Sequence, residues 1–344
     1  MSFVAHCRRL KNAGVLGLNE RNGDYIMRYN ERRFYPLVDD KILCKQRLEA
    51  CGIPAPRLIA RIRTQHEAAR LSEVLGALHE FAIKPAHGSG GSGIQVIVAR
   101  RNRRWVTAGG RLLDVPDIAH FVANILSGMY SLGGQPDEAM IETLIHLHPC
   151  YQGFNLTGIP DQRIIVYRGY PVMAMIRLPT RQSDGKANLH QGAVGCGIDL
   201  ASGRTISAVM HNQPVEEHPD TGAALGGFII PEWPRMLWMA ARCHDAVGLG
   251  YMGADIVIDR EHGPQILELN ARPGLAIQIA NRAGLGRRLK AIDRLPADGL
   301  SADVRVRRAL LLAAAGWAPA AAGKIAERIP PHADELAEPG AARI

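Results

Sequence analysis

The stretch Gly253–Gly274, GADIVIDREHGPQILELNARPG, sets the tightest limit on what this chain can fold into. It reads as a strand, a short turn and a second strand that runs into a loop. Asp255 opens the first strand, and Glu268 and Asn270 stand two apart on the second, so period-two alternation puts that pair on one face. Ile266, Leu267 and Leu269 beside them are apolar, as in a buried sheet. Three oxygen-bearing side chains would then meet in an apolar setting, where an uncompensated carboxylate is costly. A hard divalent cation relieves that cost, and Mg²⁺ takes one or two carboxylates together with substrate phosphates. A solvated hairpin edge is the plain alternative. The metal reading needs a nucleotide from elsewhere in the chain.

At 344 residues, 47% hydrophobic and 22% charged, the chain has room for two compact units of ordinary globular composition. Aromatic residues make up only 5%, which argues against a stacking platform for single-stranded nucleic acid. The net charge of +8 is spread along the chain. Its denser pieces, Arg100-Arg101-Asn102-Arg103-Arg104 and Arg305 to Arg308, are expected to be solvated turns and helix faces. The balance suits anionic small molecules, and no nucleic-acid partner is expected. Six cysteines without a CxxC pair suggest reduced thiols in a cytosolic protein. The opening MSFVAHCRRLKNAGVLG has no continuous apolar core, so no signal peptide is expected. The run Ala309 to Gly323 is broken by Pro319 and is too short to span a bilayer. The expected compartment is the cytoplasm.

In chain order, residues 1–36 form a short, polar N-terminal segment. Asp39-Asp40-Lys41 begins a helix, with acidic residues at the positive end of its dipole, and Gly52, Pro54 and Pro56 stop it. A strand over 58–63 and a helix over 67–78 follow. Phe81–Lys84 reads as a strand, His87–Gly93 as a glycine-rich turn and Ile94–Ala99 as another strand. Three strands are expected at 139–145, 161–167 and 170–178, the last two joined at the tight turn Arg168-Gly169. Residues 205–230 read as irregular, and Pro234–Gly248 as a helix with Pro at its start and Gly at its end. The tail from 300 is expected to be helical, then disordered.

GSGGSG at 88–93 matches G-x-G-x-x-G, but a dinucleotide fingerprint must open a helix. Here the β-branched IQVIVA follows. No Gly-Lys-Ser/Thr completes a Walker loop, and H-R-D and D-F-G are missing for a protein kinase. What remains is a glycine flap between strands, with Lys84 four residues ahead of it as a point charge for phosphates or a snorkelling surface lysine.

Taken in order, these segments resemble the ATP-grasp carboxylate–amine ligases, in particular the glutamate-ligase-like and sugar-transfer-associated branches, similar to the ribosomal-protein glutamate ligases. Asp40-Lys41 heading a helix that ends Gly-Ile-Pro is similar to that family's first ATP-lysine segment. Lys84 and the flap His87, Gly88, Ser89, Gly90, Gly91, Ser92, Gly93 resemble the second lysine and its phosphate-covering loop. Ile141-Glu142-Thr143-Leu144-Ile145 looks like the hinge strand that holds adenosine. Asp161-x-Arg163 and Arg177 resemble paired strands that end in a catalytic arginine. Lys186-Ala187-Asn188-Leu189-His190-Gln191-Gly192 is similar to a loop written Asn-Leu-His-x-Gly. Asp255, Glu268, Asn270, Arg272 and Gly274 match the metal-binding stretch. The resemblance covers about residues 37–285. It departs at the N-terminus, where about 36 residues stand in place of a full α/β domain, so part of the acceptor site is expected to be lost or supplied by another chain.

The resemblance implies an α+β ATP-grasp fold in which two subdomains, 37–136 with the flap and 137–299 with the metal site, clasp a nucleotide between antiparallel sheets. Residues 300–344 form a tail. It implies ATP and Mg²⁺ as cofactors, two ions held by Asp255, Glu268 and Asn270, with Mn²⁺ as a substitute. Lys41 and Lys84 would hold the α- and β-phosphates and the flap would close over the γ-phosphate. Arg177, Asn188 and His190 would be catalytic, with Asp161 and Arg163 binding nucleotide or substrate or bracing the site. A carboxylate would attack the γ-phosphate, and an amine, amino-acid-like, glutamate or another amino acid, would displace phosphate from the acylphosphate. A phosphotransferase without an amine acceptor and an inactive nucleotide-binding module are the alternatives. Neither substrate is named by the residues, and a homo-oligomer is left open.

Overall fold

In the computed structural model the described residues are 3–88, 91–154, 158–295 and 299–329. Two antiparallel sheets carry the chain's architecture. The strands are β1 (Leu58–Ile62), β2 (Phe81–Pro85), β3 (Gln95–Arg101), β4 (Arg104–Thr107), β5 (Leu112–Leu113), β6 (Ala139–Glu142), β7 (Asp161–Tyr167), β8 (Tyr170–Leu178), β9 (Val194–Ile198), β10 (Thr205–Met210), β11 (Gln213–Val215), β12 (Tyr251–Asp259) and β13 (Gly263–Asn270). The first sheet has six strands in the order β1-β6-β2-β3-β4-β5. The second has seven, ordered β11-β10-β9-β8-β7-β12-β13. The arrangement is α+β, as the resemblance implies.

Strand β6 lies between β1 and β2. The segment 139–142, set by the sequence at the head of the second unit, thus hydrogen-bonds in the first sheet. The linker that leaves it crosses to the second sheet, where Leu147 bridges Asp259.

The first sheet buries one face under the helix Val115–Leu126. A reciprocal capping box between Asp114 and Asp117, with Pro116 in the first turn, starts that helix. Ile118, Val122 and Ile125 fall at helical spacing and pack with Phe81, Ile83 and Ile97 from the sheet. The stretch 67–78 folds as two short helices, Gln65–Ala69 and Leu71–Leu75, because Arg70 between them leaves helical geometry.

The second sheet packs on the helix Trp233–Val247, which has Pro234 in its first turn and the left-handed Gly248 at its end. Among the described residues no helix is long and apolar enough to cross a membrane. The N-terminal segment is built into this half. Asn30 exchanges hydrogen bonds with the Tyr251 backbone at 2.7 and 2.8 Å, and Gln278 does the same with Leu16 at 2.8 and 3.1 Å. Arg21 donates to Pro273 O at 2.8 Å, so the loop after β13 is fastened from the N-terminal side.

Two expectations are corrected. The stretch 205–230 contains β10 and β11, joined by the two-residue turn His211-Asn212 with φ of 50° and 62°. Both residues occupy the left-handed region that this hairpin turn requires. In the tail, Arg305 and Arg308 are buried rather than solvated, at 6% and 1% exposure. Arg308 donates to Ile329 O at 2.9 and 2.5 Å and to Ala326 O at 3.3 Å, closing the end of the helix Ala321–Arg328. Arg305 reaches Asp245 at 2.5 Å and Leu300 O at 2.7 Å. The expected disorder from 328 onward falls almost wholly outside the described residues.

Candidate active site

Four adjacent strands, β8-β7-β12-β13, lay the charged residues out in a row. Arg177 stands opposite Asp161, Arg163 opposite Asp255, and Asp255 opposite Glu268. Arg177 forks onto Asp161, one arm at 2.6 Å, and reaches Asp255 Oδ2 at 2.8 Å. Arg163 forks onto Asp255 at 2.7 and 2.6 Å. Asn270 Nδ2 donates to the same Asp255 Oδ2 at 3.1 Å. Two arginines against two aspartates is a balanced set, which lets all four sit in the sheet. Burial alone would raise Asp255, but the two guanidiniums outweigh it and hold its carboxyl below the usual range.

Glu268 is left over. Among the described residues it has no ion-pair partner within 4 Å. Burial, then the Asp255 carboxylate, raise its pKa, with Lys41 and the arginines pulling the other way.

The facing groups come from the first sheet and the helix Lys41–Ala50. Asp40 caps that helix, its Oδ1 accepting from Ile42 N at 2.7 Å. Lys41 donates its backbone N–H to Ala86 O at 3.2 Å, and its ammonium reaches Gly88 O. Lys41, Lys45 and Glu268 line one crevice between this helix and β13. Lys84, on β2, pairs with Glu142 on the neighbouring β6, and Lys45 pairs with the same carboxylate at 2.8 Å. Glu142 is 1% exposed, and the two ammoniums hold it below the ordinary carboxylate range against its burial. Thr143 exchanges hydrogen bonds with the Arg57 backbone, both at 3.0 Å. Leu144 is partly buried next in line.

In the flap, His87 is anchored on Asp137, with Nδ1 at 2.7 Å from Oδ1 and the backbone N–H at 3.1 Å. Gly93 has φ of 72°, and a Cβ there would run into the Tyr130 ring. Ser92 is exposed; Ser89 and Gly90 lie outside the described residues. A Cβ on Gly91 would lie 3.5 Å from Lys186 Cγ and Cδ, so the flap and the 179–192 loop meet. Lys186, quoted from the sequence only as part of that loop, thereby joins the site. A lone lysine between Gly185 and Asn188 was the available signal.

That loop is closed at its base by Thr180 Oγ1, which donates to Gly192 O at 2.8 Å. Asn188 Oδ1 accepts from His190 N at 3.0 Å and so caps its own turn. His190 is exposed. Among the described residues no hydrogen bond ties Asn188 or His190 to the arginine–aspartate row. The row and the crevice are assembled in one place; Asn188 and His190 stand to one side of them.

The donor set suits a hard cation. Glu268 is a half-buried carboxylate with no ion pair among the described residues, and Asn270 uses only its amide nitrogen on Asp255, leaving its oxygen. Asp255 is the weakest member, since both its oxygens already serve arginines. Among the described residues no three His, Cys, Asp or Glu side chains group as a metal site. The fit rests on two carboxylates and a carboxamide.

The model of the sugar-transfer associated ATP-grasp family matches residues 20–294. The chain belongs to that family. Its two sheets are the two halves of the ATP-grasp fold. No curated protein matches the chain. Among solved structures it is similar to the ATP-grasp ligase PsnB complexed with minimal precursor, with 16% identity and a TM-score of 0.40 over 75% of this chain and 59% of that one. It is also similar to D-alanine–D-alanine ligase from Bacillus anthracis complexed with ATP, with 12% identity and a TM-score of 0.42 over 76% of this chain and 63% of that one. The ATP-grasp chain thus spans about three fifths of the length of those proteins.

Proposed function

We propose that this ATP-grasp protein is an ATP-dependent ligase that joins a carboxylate to an amine through an acylphosphate. The observation that carries the reading is the crevice where Lys41, Lys45 and Glu268 meet under the glycine flap. There Lys41 and Lys45, on a helix packed against β13, line one crevice with Glu268, which has no ion pair among the described residues.

On this reading the nucleotide lies between the two sheets, in lobes that divide after β6. Lys41, Lys84 and Lys186 supply positive charge for the phosphates, and the flap amides cover the γ-phosphate. Mg²⁺, when bound by Glu268 and Asn270 with Asp255 beside them, would neutralise charge on the phosphate oxygens. An oxygen of the acid substrate attacks the γ-phosphorus, and the bond from that phosphorus to the ADP oxygen breaks. The amine nitrogen then attacks the acyl carbon, phosphate leaves with the bonding pair, and the nitrogen gives up its proton. Phosphoryl transfer asks for positioning and charge more than for covalent help. On this reading Arg177, which bonds Asp161 and Asp255, would stabilise the charge on the acyl oxygen.

The test is an ADP-release screen that crosses carboxylates with amines, with products read by mass spectrometry. The ligase reading requires ADP release that depends on both and yields an amide. Release with an acid alone, giving a stable phosphorylated product, points instead to a phosphotransferase.

A further inference from the structure

Beside the Asn188–Gly192 turn the molecule has an open pocket of about 290 Å³, lined by Leu189, His190, Val209, His211, Asn212 and Ala276. Its walls come from three separate segments, each fixed by its own contact. Leu189 drops onto the sheet because β9 has a glycine beneath it: a Cβ on Gly195 would come within 2.8 Å of Leu189 Cδ2. Ala276 is set by the helix Ile277–Ala280, tied to β10 when Ser207 Oγ donates to Ala280 O at 2.6 Å. His211 and Asn212 are the left-handed hairpin tip, a backbone region that histidine and asparagine enter more readily than most residues.

The pocket continues the charged row. Arg177 pairs in register with Gly195, and Gly195 with Val209, so the pocket floor lies two strands, about 10 Å, from the Arg177 backbone. Among the described residues no acidic side chain lines it. A pocket for an ammonium needs a carboxylate or an aromatic face. This one offers two imidazoles and a carboxamide, groups that donate to anions. Its volume falls at the small end of ligand pockets, about 300 to 1,000 Å³.

We infer that this pocket holds the acid partner rather than the amine, and that the acid is a small one with a second anionic group. His190 and His211 grip the second group while the reacting carboxylate points back toward Arg177. This inference rests on the ligase reading for the reaction, but its binding step is measured apart from it.

The experiment titrates the full chain with succinate, glutarate and D-glucarate, and with butyrate as the monoacid control, while following the imidazole resonances of His190 and His211 by NMR. Nucleotide binding is measured separately with Mg²⁺ and AMPPNP. The expected result is a saturable shift of both histidines by at least one diacid and a markedly weaker effect of butyrate. His211→Asn keeps a residue that tolerates the left-handed turn and should weaken diacid binding about tenfold, while AMPPNP affinity stays within about twofold. Absence of any diacid effect on the two histidines overturns the inference, as does equal binding of butyrate or unchanged diacid affinity in His211→Asn. Failure of AMPPNP to bind would strike the ligase reading alone.

Discussion

Arg177 and Asp255 sit on strands with one strand between them, yet Arg177 Nη2 reaches across β7 to Asp255 Oδ2 at 2.8 Å. The contact joins Arg177 to the β12–β13 hairpin, so neither side chain can move without the other.

Arg177→Ala leaves Asp161 and Asp255 short of a buried counter-ion and should cost about 3–5 kcal/mol of stability, as losing one partner of a buried pair does. Arg177→Lys retains the charge but not the fork. It should fold, by circular dichroism, and lose about two to three orders of magnitude in turnover. Turnover within a few-fold of the parent in Arg177→Lys would remove Arg177 from the chemistry.

Glu142 is the hub for Lys45 and Lys84. Glu142→Ala should lower stability by about 3–5 kcal/mol, because two ammoniums then stay in the interior without an anion. Chemical denaturation checks this, and a midpoint equal to the parent's would show that Glu142 does not hold the pair together.

Asp259 accepts from the backbone N–H groups of His146, Glu261 and His262, and from the His262 ring. Although burial opposes it, these bonds lower its pKa from 3.8 to about 2. The folded value is below the unfolded one, so the stability Asp259 contributes is fully present above about pH 4. It is lost as pH falls toward 2. Asp259→Asn should be less stable at neutral pH and show a shallower loss between pH 4 and 2 by thermal melts, with the linker at His146 the first backbone to gain hydrogen exchange. Identical acid limbs in the two proteins would contradict this role.

Much of the frame was readable from local pattern. The strands at 161–167, 170–178 and 251–270 alternate or run apolar, and a cap or a glycine marks the ends of the helices at 41–50 and 233–247. What escaped local pattern depends on partners far apart in sequence. Lys84 meets Glu142, 58 positions on, through strand pairing alone. Lys186 meets Gly91 only when the lobes face each other. Arg308 looks like a surface cation until the Ala321–Arg328 helix folds its last carbonyls onto the guanidinium. The 205–215 hairpin was hidden because His211-Asn212 is a rarer turn pair than Asn-Gly.

The most direct measurement of the central claim is Mg²⁺-dependent ADP release by the full chain and by Glu268→Ala, given the acid and amine that support turnover. Among the described residues Glu268 is the carboxylate of the row without an ion pair, so its loss should abolish Mg²⁺-dependent release while circular dichroism stays that of the parent. Undiminished ADP release in Glu268→Ala, with the same dependence on Mg²⁺, would contradict it.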